Sequence, residues 1–141
     1  MTADLPLTQD ENERIREAFE RVPFAHLLKL ELGEMKRGLA TLHLGIRDDL
    51  RQNNGVVHGG VIASLMDSAA AFAIITLLEK GQTTTTVDLT IHYLRPWLSG
   101  RATAQARVVR AGRRILTITI DVLDENEVLL ATALTSFIRL A

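Results

Sequence analysis

The most informative feature of this sequence is an apolar run with one charge at its centre. Residues 61–78 read VIASLMDSAAAFAIITLL, in which Asp67 is the only ionisable side chain. Eighteen residues are barely enough to span a bilayer, and a carboxylate near the centre costs roughly 2.5–3.5 kcal/mol to insert. We therefore predict a helix over about residues 59–80 that is enclosed by the rest of the protein, and no membrane partner.

The flanking segments predict an antiparallel sheet around this helix. A helical segment at about residues 9–28 comes first, with Thr8 or Asp10 as the N-cap of a surface helix over residues 11–21. Alternating and β-branched stretches predict strands at residues 30–36, 39–46, 83–94, 102–110, 114–123 and 128–140. Because strands follow strands without intervening helices, the fold class is α+β. We expect one domain over residues 1–141, with its core at about 29–140.

Composition narrows the range of functions. The formal net charge is -1 and aromatic residues make up 4% of the chain, so a nucleic-acid partner is not expected. The chain has no cysteine, which excludes disulfides and thiolate nucleophiles. The first residues lack the basic start and apolar run of a signal peptide, which favours the cytoplasm. No metal site is predicted, because the spacing of three histidines does not match that of metal ligands. These are His26, His43 and His92.

The carboxylate of Asp67 has two interpretations. It can be a structural group that accepts hydrogen bonds from nearby backbone N–H groups, or it can be a catalytic group, because a charge inside an apolar helix is costly unless it is paired or used. Ser64, Asp67, Ser68 and Ala71 follow helical spacing and share one small, mostly polar face. That face predicts a cleft or a close partner along the helix.

The entrance of the predicted helix is a second candidate site. It reads His58-Gly59-Gly60, after a polar loop that contains Gln52. Glycines let the backbone approach a ligand, and the first N–H groups of a helix are unpaired and positive, so they can hold an oxyanion. Alternatively the glycines only ease a tight turn, and His58 is structural.

The distance between these features has a consequence. Asp67 follows His58 by nine residues, which is about 13 Å along a helix and half a turn around it. The two groups therefore cannot act on one small carbonyl within one chain. Either they do separate jobs, or two chains build each site, and the second alternative predicts an obligate dimer.

A group of arginines has a less specific pattern. Arg110, Arg113 and Arg114 surround Gly112 at a predicted hairpin tip. Together with Arg95 they could bind a phosphate-bearing ligand. The alternative is an ordinary solvated turn.

The combined motif resembles that of a known family. Gln-x-x-Gly-x-x-His-Gly-Gly at residues 52–60, with Asp67 nine residues after the histidine, is similar to the hotdog-fold acyl-CoA thioesterases, and most to their PaaI-like, phenylacetate-pathway branch. The segments TVDL at 86–89, YLRP at 93–96 and VRAGR at 109–113 are also similar, and the resemblance spans about residues 38–138.

The resemblance implies a catalytic role for each matching residue. Asp67 would be the general base that activates water, or the nucleophile that forms an anhydride. The Gly59 N–H would polarise the thioester carbonyl, and Gln52 would position that carbonyl or the water. His58 would orient the loop and assist the leaving thiolate, and Thr86 would hold the water.

The resemblance also implies a hotdog fold, an acyl-CoA substrate without a further cofactor, and assembly into homodimers that pair into homotetramers. Residues matching CoA-contacting segments are Tyr93, Arg95, Arg110 and Arg113. Two other functions remain as alternatives: a hydratase on the same fold, whose paired Asp and His motif is not found here, and a non-catalytic module that binds acyl-CoA as a sensor or scaffold.

Overall fold

The computed structural model describes residues 4–140, in which three α-helices and six β-strands are found. The helices are α1 (Gln9–Glu20), α2 (Pro23–Leu28) and α3 (Gly59–Ile75). The strands are β1 (Glu31–Lys36), β2 (Leu39–Gly45), β3 (Thr83–Tyr93), β4 (Arg101–Ala111), β5 (Ile115–Leu123) and β6 (Leu129–Leu140). A single 3-10 turn, Asp48–Leu50, interrupts the polar loop before α3. None of the helices within this described part has the length and apolar character needed to cross a membrane.

The strands form one antiparallel sheet in the order β1-β2-β4-β5-β6-β3, and α3 packs against its inner face. One row across the sheet joins Ala40, Ala106, Ile120 and Ala133, all of which are buried. The small alanine side chains let the helix approach the sheet closely, while the larger aliphatic residues fill the space beside it. The predicted α+β architecture, an antiparallel sheet around one long helix, is confirmed.

The face of α3 that the sequence singles out is the less buried one. Leu65, Met66, Ala69 and Ala70 have no exposed surface. In contrast, the four residues of the predicted polar face remain only partly buried: Ser64, Asp67, Ser68 and Ala71. The sheet therefore covers most of the helix and leaves this narrow face accessible.

Helix α3 ends at Ile75, so the prediction that it extends to about residue 80 was wrong. The buried Thr76 hydroxyl donates to Ala73 O (2.6 Å) and accepts the N–H of Gly38 (2.7 Å). This contact docks the β1–β2 turn on the end of the helix, so the chain must turn here to leave room for the sheet. Gly81, with a φ of +88°, lies in the later turn that leads into β3.

Helix α1 begins at Gln9, two residues before the predicted start, and is less exposed than expected. Thr8 is the N-cap, and it forms a capping box with Glu11. Ile15 and Phe19 are buried, and the Phe19 ring packs edge-on against Phe72 of α3 with centroids 5.2 Å apart. The prediction of a surface helix thus holds for one face only, and the other face extends the core.

One carboxylate of α1 predicts how stability depends on pH. The Arg37 guanidinium, which donates to both oxygens of Glu11, lowers the pKa of that carboxyl from 4.5 to about 2, with the Thr8 backbone N–H as the second cause. Because the folded-state pKa is lowered, this stabilisation is present above about pH 4.5 and is lost as pH falls towards 2. We expect Glu11→Gln to lower the urea midpoint at pH 7 and to differ little from wild type near pH 2. An equal difference at both pH values would contradict this account.

Candidate functional site

The loop before α3 is held in shape by its own backbone and by one arginine. The N–H of Gln52 donates to Val56 O (2.8 Å), and Gly55, with a φ of +88°, closes the turn. Arg51 donates to Gly55 O (2.5 Å) and to Leu98 O (3.2 Å), which joins the loop to the segment after β3. Sequence analysis missed Arg51, since nothing in the sequence indicates that residue 98 lies beside it.

His58 is the N-cap of α3. Its Nδ1 accepts the N–H of Gly60 (2.8 Å), and its carbonyl accepts the N–H of Val61 (2.9 Å). Because Nδ1 accepts this hydrogen bond, the ring proton is on Nε2, which has no hydrogen-bond partner among residues 4–140. Gly59 is the first helical residue, and its N–H has no acceptor among residues 4–140. The unpaired N–H lies at the positive end of a helix whose first turn contains no acidic residue.

Tyr93 connects the start of α3 to the end of β3. Its hydroxyl donates to Gly59 O at 2.8 Å. A Cβ at position 59 would lie 3.3 Å from Cζ of Tyr93, tighter than ordinary contact. Glycine therefore accommodates the close approach of the tyrosine ring, and a side chain at position 59 would have to displace the ring by a few tenths of an ångström.

A cavity of about 330 Å³ opens at this end of the helix. Its polar lining comes from Gln52, Gly59, Tyr93 and Arg95, all of which the sequence predicted as site residues. The apolar walls are Val56, Val57, Ile62, Leu94, Pro96 and Trp97. The Gln52 side-chain oxygen accepts the N–H of Asn54 (2.8 Å), which leaves the amide NH₂ as a donor. The cavity thus combines apolar walls with several hydrogen-bond donors.

Asp67 lies one turn after Ser64 on the accessible face of α3, and it contacts β3. The Thr86 hydroxyl donates to Oδ1 of Asp67 at 2.8 Å. Within the described residues no backbone N–H donates to this carboxylate, so the structural interpretation through backbone hydrogen bonds has no support. The second oxygen, Oδ2, has no hydrogen bond to residues 4–140.

The orientation of Thr86 departs from strict alternation along β3. Strict alternation places Thr86 with Asp88, on the face opposite Leu89 and Ile91. The structure has a β-bulge between Thr86 and Asp88, with Val87 as the extra, exposed residue. The bulge shifts the alternation by one position, and Thr86 turns inward on the same face as Leu89. Only this irregularity brings its hydroxyl to Asp67.

The predicted site residues therefore form two separate groups in one chain. The entrance group consists of Gln52, His58, Gly59, Tyr93 and Arg95. The carboxylate group consists of Asp67 and Thr86, which do not line the entrance cavity. Asp67 follows Gly59 by eight positions in the helix, which is about 12 Å along the axis. This separation agrees with the distance argument from the sequence.

Arg110 and Arg113 lie in a third place. Both are exposed at the β4–β5 hairpin. Ile115, the first residue of β5, pairs with Ile138 of β6, which in turn pairs with Thr85 near the start of β3. The hairpin therefore lies at the end of the sheet where β3 begins. Tyr93 is the last residue of β3, at the opposite end of the sheet. One chain therefore does not bring these arginines together with the entrance group.

The two groups suit different parts of an acyl-transfer reaction. A free N–H at a helix start, with neighbouring imidazole and amide donors, can stabilise negative charge that develops on a carbonyl oxygen. A carboxylate with one free oxygen, held by a hydroxyl, can accept a proton from water or attack a carbonyl carbon. No group of three or more His, Cys, Asp or Glu side chains in the described part of the chain is placed to hold a metal ion.

Comparison with known sequences points to one family. The family model of the thioesterase superfamily matches residues 54–131, which include all of α3 and β3. The medium/long-chain acyl-CoA thioesterase YigI of Salmonella typhimurium is 28% identical over 131 residues, covering 82% of this chain and 84% of that protein.

Solved structures show the same architecture. The PaaI protein from the phenylacetic acid degradation operon of Escherichia coli superposes with a TM-score of 0.87 at 23% identity, over 96% of both chains. A single-residue variant of the phenylacetic acid degradation protein PaaI from Thermus thermophilus superposes with a TM-score of 0.77 at 31% identity, over 84% of this chain and 100% of that one.

Proposed function

Because this chain belongs to the thioesterase superfamily and has its hotdog fold, we propose that it hydrolyses an aryl- or fatty acyl-CoA to the free acid and CoA. The observation that carries this proposal is the unpaired N–H of Gly59 at the mouth of an apolar cavity. A thioester presents an apolar acyl chain beside a carbonyl oxygen that becomes negative during hydrolysis, and the cavity has a matching surface for each.

The entrance group would bind the thioester carbonyl. The oxygen would accept the N–H of Gly59, where the helix dipole favours negative charge. The free side-chain NH₂ of Gln52 would position the carbonyl or the water. His58, with its proton on Nε2, would hold the loop through Nδ1 and would assist the leaving thiolate.

Asp67 would supply the base or the nucleophile. As a base, Oδ2 takes a proton from water while the water oxygen bonds to the thioester carbon. The tetrahedral intermediate then collapses, the C–S bond breaks, and the thiolate leaves and takes up a proton. Thr86 donates its hydrogen to Oδ1, and its hydroxyl oxygen still has a lone pair to accept a hydrogen bond from that water.

Two chains would be needed to complete each site. Among the described strands, β3 pairs only with β6, which leaves its other edge unpaired over eleven residues. Its surface includes exposed Val87 and Tyr93, which favours pairing with a second copy. A two-fold axis midway between residues 89 and 90 would place Thr86 of one chain opposite Tyr93 of the partner subunit. Each Asp67 would then lie beside the other chain's helix entrance.

The same two-fold arrangement explains the placement of the arginines. Arg95 lines the cavity of its own chain. The β4–β5 hairpin, which carries Arg110 and Arg113, lies towards the start of β3 and so towards the partner's cavity. We propose that these arginines and the Tyr93 ring contact the CoA moiety, and that the homodimers pair further into homotetramers.

A thiol-release assay tests the proposed reaction. Purified protein would be incubated with a panel of aryl-, medium-chain and long-chain acyl-CoAs, and free CoA would be measured with a thiol reagent. We expect turnover of at least one class. Binding of these esters without hydrolysis would refute the proposal and favour the non-catalytic sensor or scaffold.

Mixing two inactive variants tests whether the sites are shared. One chain would carry Asp67→Asn and the other Gly59→Pro, which removes the amide hydrogen. After denaturation and refolding together, half of the dimers would be mixed, and each mixed dimer would have one intact site of two. We expect about a quarter of wild-type activity in the mixture and almost none in either variant alone. If the mixture stays inactive while mixed dimers form, each chain builds its own site.

A further inference from the structure

We infer that the Tyr93 hydroxyl is a positioning group that orients the Gly59 amide for the carbonyl oxygen, a role that rests on the proposed thioesterase function. The hydroxyl is directed at the backbone of Gly59, 2.8 Å from its carbonyl oxygen. It acts on the substrate only through that backbone. This role differs from a contact between the Tyr93 ring and CoA.

The peptide unit between Gly59 and Gly60 is held at both ends by side chains. Its carbonyl accepts from Tyr93, and its N–H donates to Nδ1 of His58 (2.8 Å). The Gly59 N–H belongs to the preceding peptide unit, between His58 and Gly59. The two peptide units meet at the Cα of Gly59, so fixing the Gly59–Gly60 unit restricts the direction of the Gly59 N–H. Two glycines in succession are the most freely rotating pair that a chain can offer, and fixing them requires outside contacts.

The backbone of Tyr93 is held by the sheet. It pairs with Ala131 of β6 at the end of β3. The next two N–H groups, of Leu94 and Arg95, both donate to Leu130 O at 2.8 and 3.1 Å. The ring atoms lie 3.3–3.4 Å from the position of a Cβ at Gly59. Tyr93 therefore transmits the position of the sheet to the first turn of α3.

The contact also joins the two halves of the proposed shared site. The β3 strand that carries Tyr93 also carries Thr86, which contacts Asp67. In the proposed dimer the paired β3 strands would set the distance from the Gly59 amide of one chain to the carboxylate of the other. Hydrogen bonds from Thr86 and Tyr93, seven positions apart on this strand, connect β3 to α3 at two points.

Tyr93→Phe separates the two roles of this residue, because it keeps the ring and removes only the hydroxyl. Because one net hydrogen bond is lost, we expect kcat to fall roughly three- to tenfold, which corresponds to about 0.7–1.4 kcal/mol. KM for the same acyl-CoA should stay within about twofold, since ring contacts with CoA are kept. The matched control is Thr132→Val. The Thr132 hydroxyl donates to Asp121, its pairing partner on β5, and does not contact α3, so this variant should leave kcat unchanged.

Amide resonances give a readout that does not depend on activity. In ¹⁵N–¹H spectra we expect Tyr93→Phe to shift the signals of Gly59 and Gly60, and Thr132→Val to leave them in place. A rise in KM with unchanged kcat would overturn the inference and assign the hydroxyl to CoA binding. Unchanged kcat with unchanged glycine signals would overturn it as well. If wild type released no thiol, the proposed function would fail, whereas the spectra would still test the contact.

Discussion

Replacing Asp67 by asparagine is expected to lower kcat by roughly 10²- to 10⁴-fold, the usual contribution of a positioned acid–base group. Asparagine has the same shape, and its Oδ1 can still accept the Thr86 hydroxyl. The contact between α3 and β3 is therefore kept, while the group that accepts a proton or attacks the carbonyl is lost. We expect the melting temperature and the affinity for acyl-CoA to change little.

The matched control for this variant is Asp88→Asn. Asp88 lies two residues from Thr86, on the other side of the bulge, and its Oδ1 accepts the N–H of Ser136 (3.1 Å). An asparagine oxygen can replace it in that bond, and the residue faces away from α3. Steady-state thiol release should thus be normal in this control. Wild-type kcat in Asp67→Asn would eliminate Asp67 as base and as nucleophile.

Replacing Gly59 by proline should lower kcat by about 10²- to 10³-fold, the loss typical of removing one oxyanion donor. Proline has no N–H, and the first position of a helix is where it is best tolerated. His58, with φ of -60° and ψ of 135°, already has the extended backbone that a residue before proline requires. The helix should therefore form while its free amide is lost.

Gly59→Ala is the control that separates the amide from crowding. Alanine and proline both place a Cβ about 3.3 Å from the Tyr93 ring, but only alanine keeps the N–H. We expect the alanine variant to lose much less activity than the proline variant, as measured by kcat at saturating substrate. Equal losses in both variants would show that displacement of Tyr93, and not the missing donor, reduces the rate.

Local patterns were enough to predict most of the elements. A run of apolar residues with one carboxylate predicted an enclosed helix and marked Asp67, because a buried charge is costly wherever the helix packs. Alternation and β-branched residues located all six strands within a few residues. The glycine pair after His58 marked the helix entrance, because its N–H groups are unpaired in any helix.

Long-range contacts decided what local patterns could not. Helix α3 stops at Ile75 because the β1–β2 turn docks on Thr76, a contact between residues 38 positions apart. The Arg51 contact with Leu98 likewise spans 47 positions. Periodicity in the sequence does not predict these two contacts, because both depend on how the sheet curls around the helix.

Residue types and their spacing were sufficient to specify which chemical groups are present and on which elements they lie: a carboxylate inside α3, a free amide at its start, and β3 as a strand. Which of these groups meet depends on how the chain folds. The bulge at Val87 turns Thr86 inward to Asp67, and the end of β3 brings the Tyr93 hydroxyl to Gly59. The reason is that residue types and spacing set local geometry, whereas contacts between elements are set by register and packing across the whole sheet.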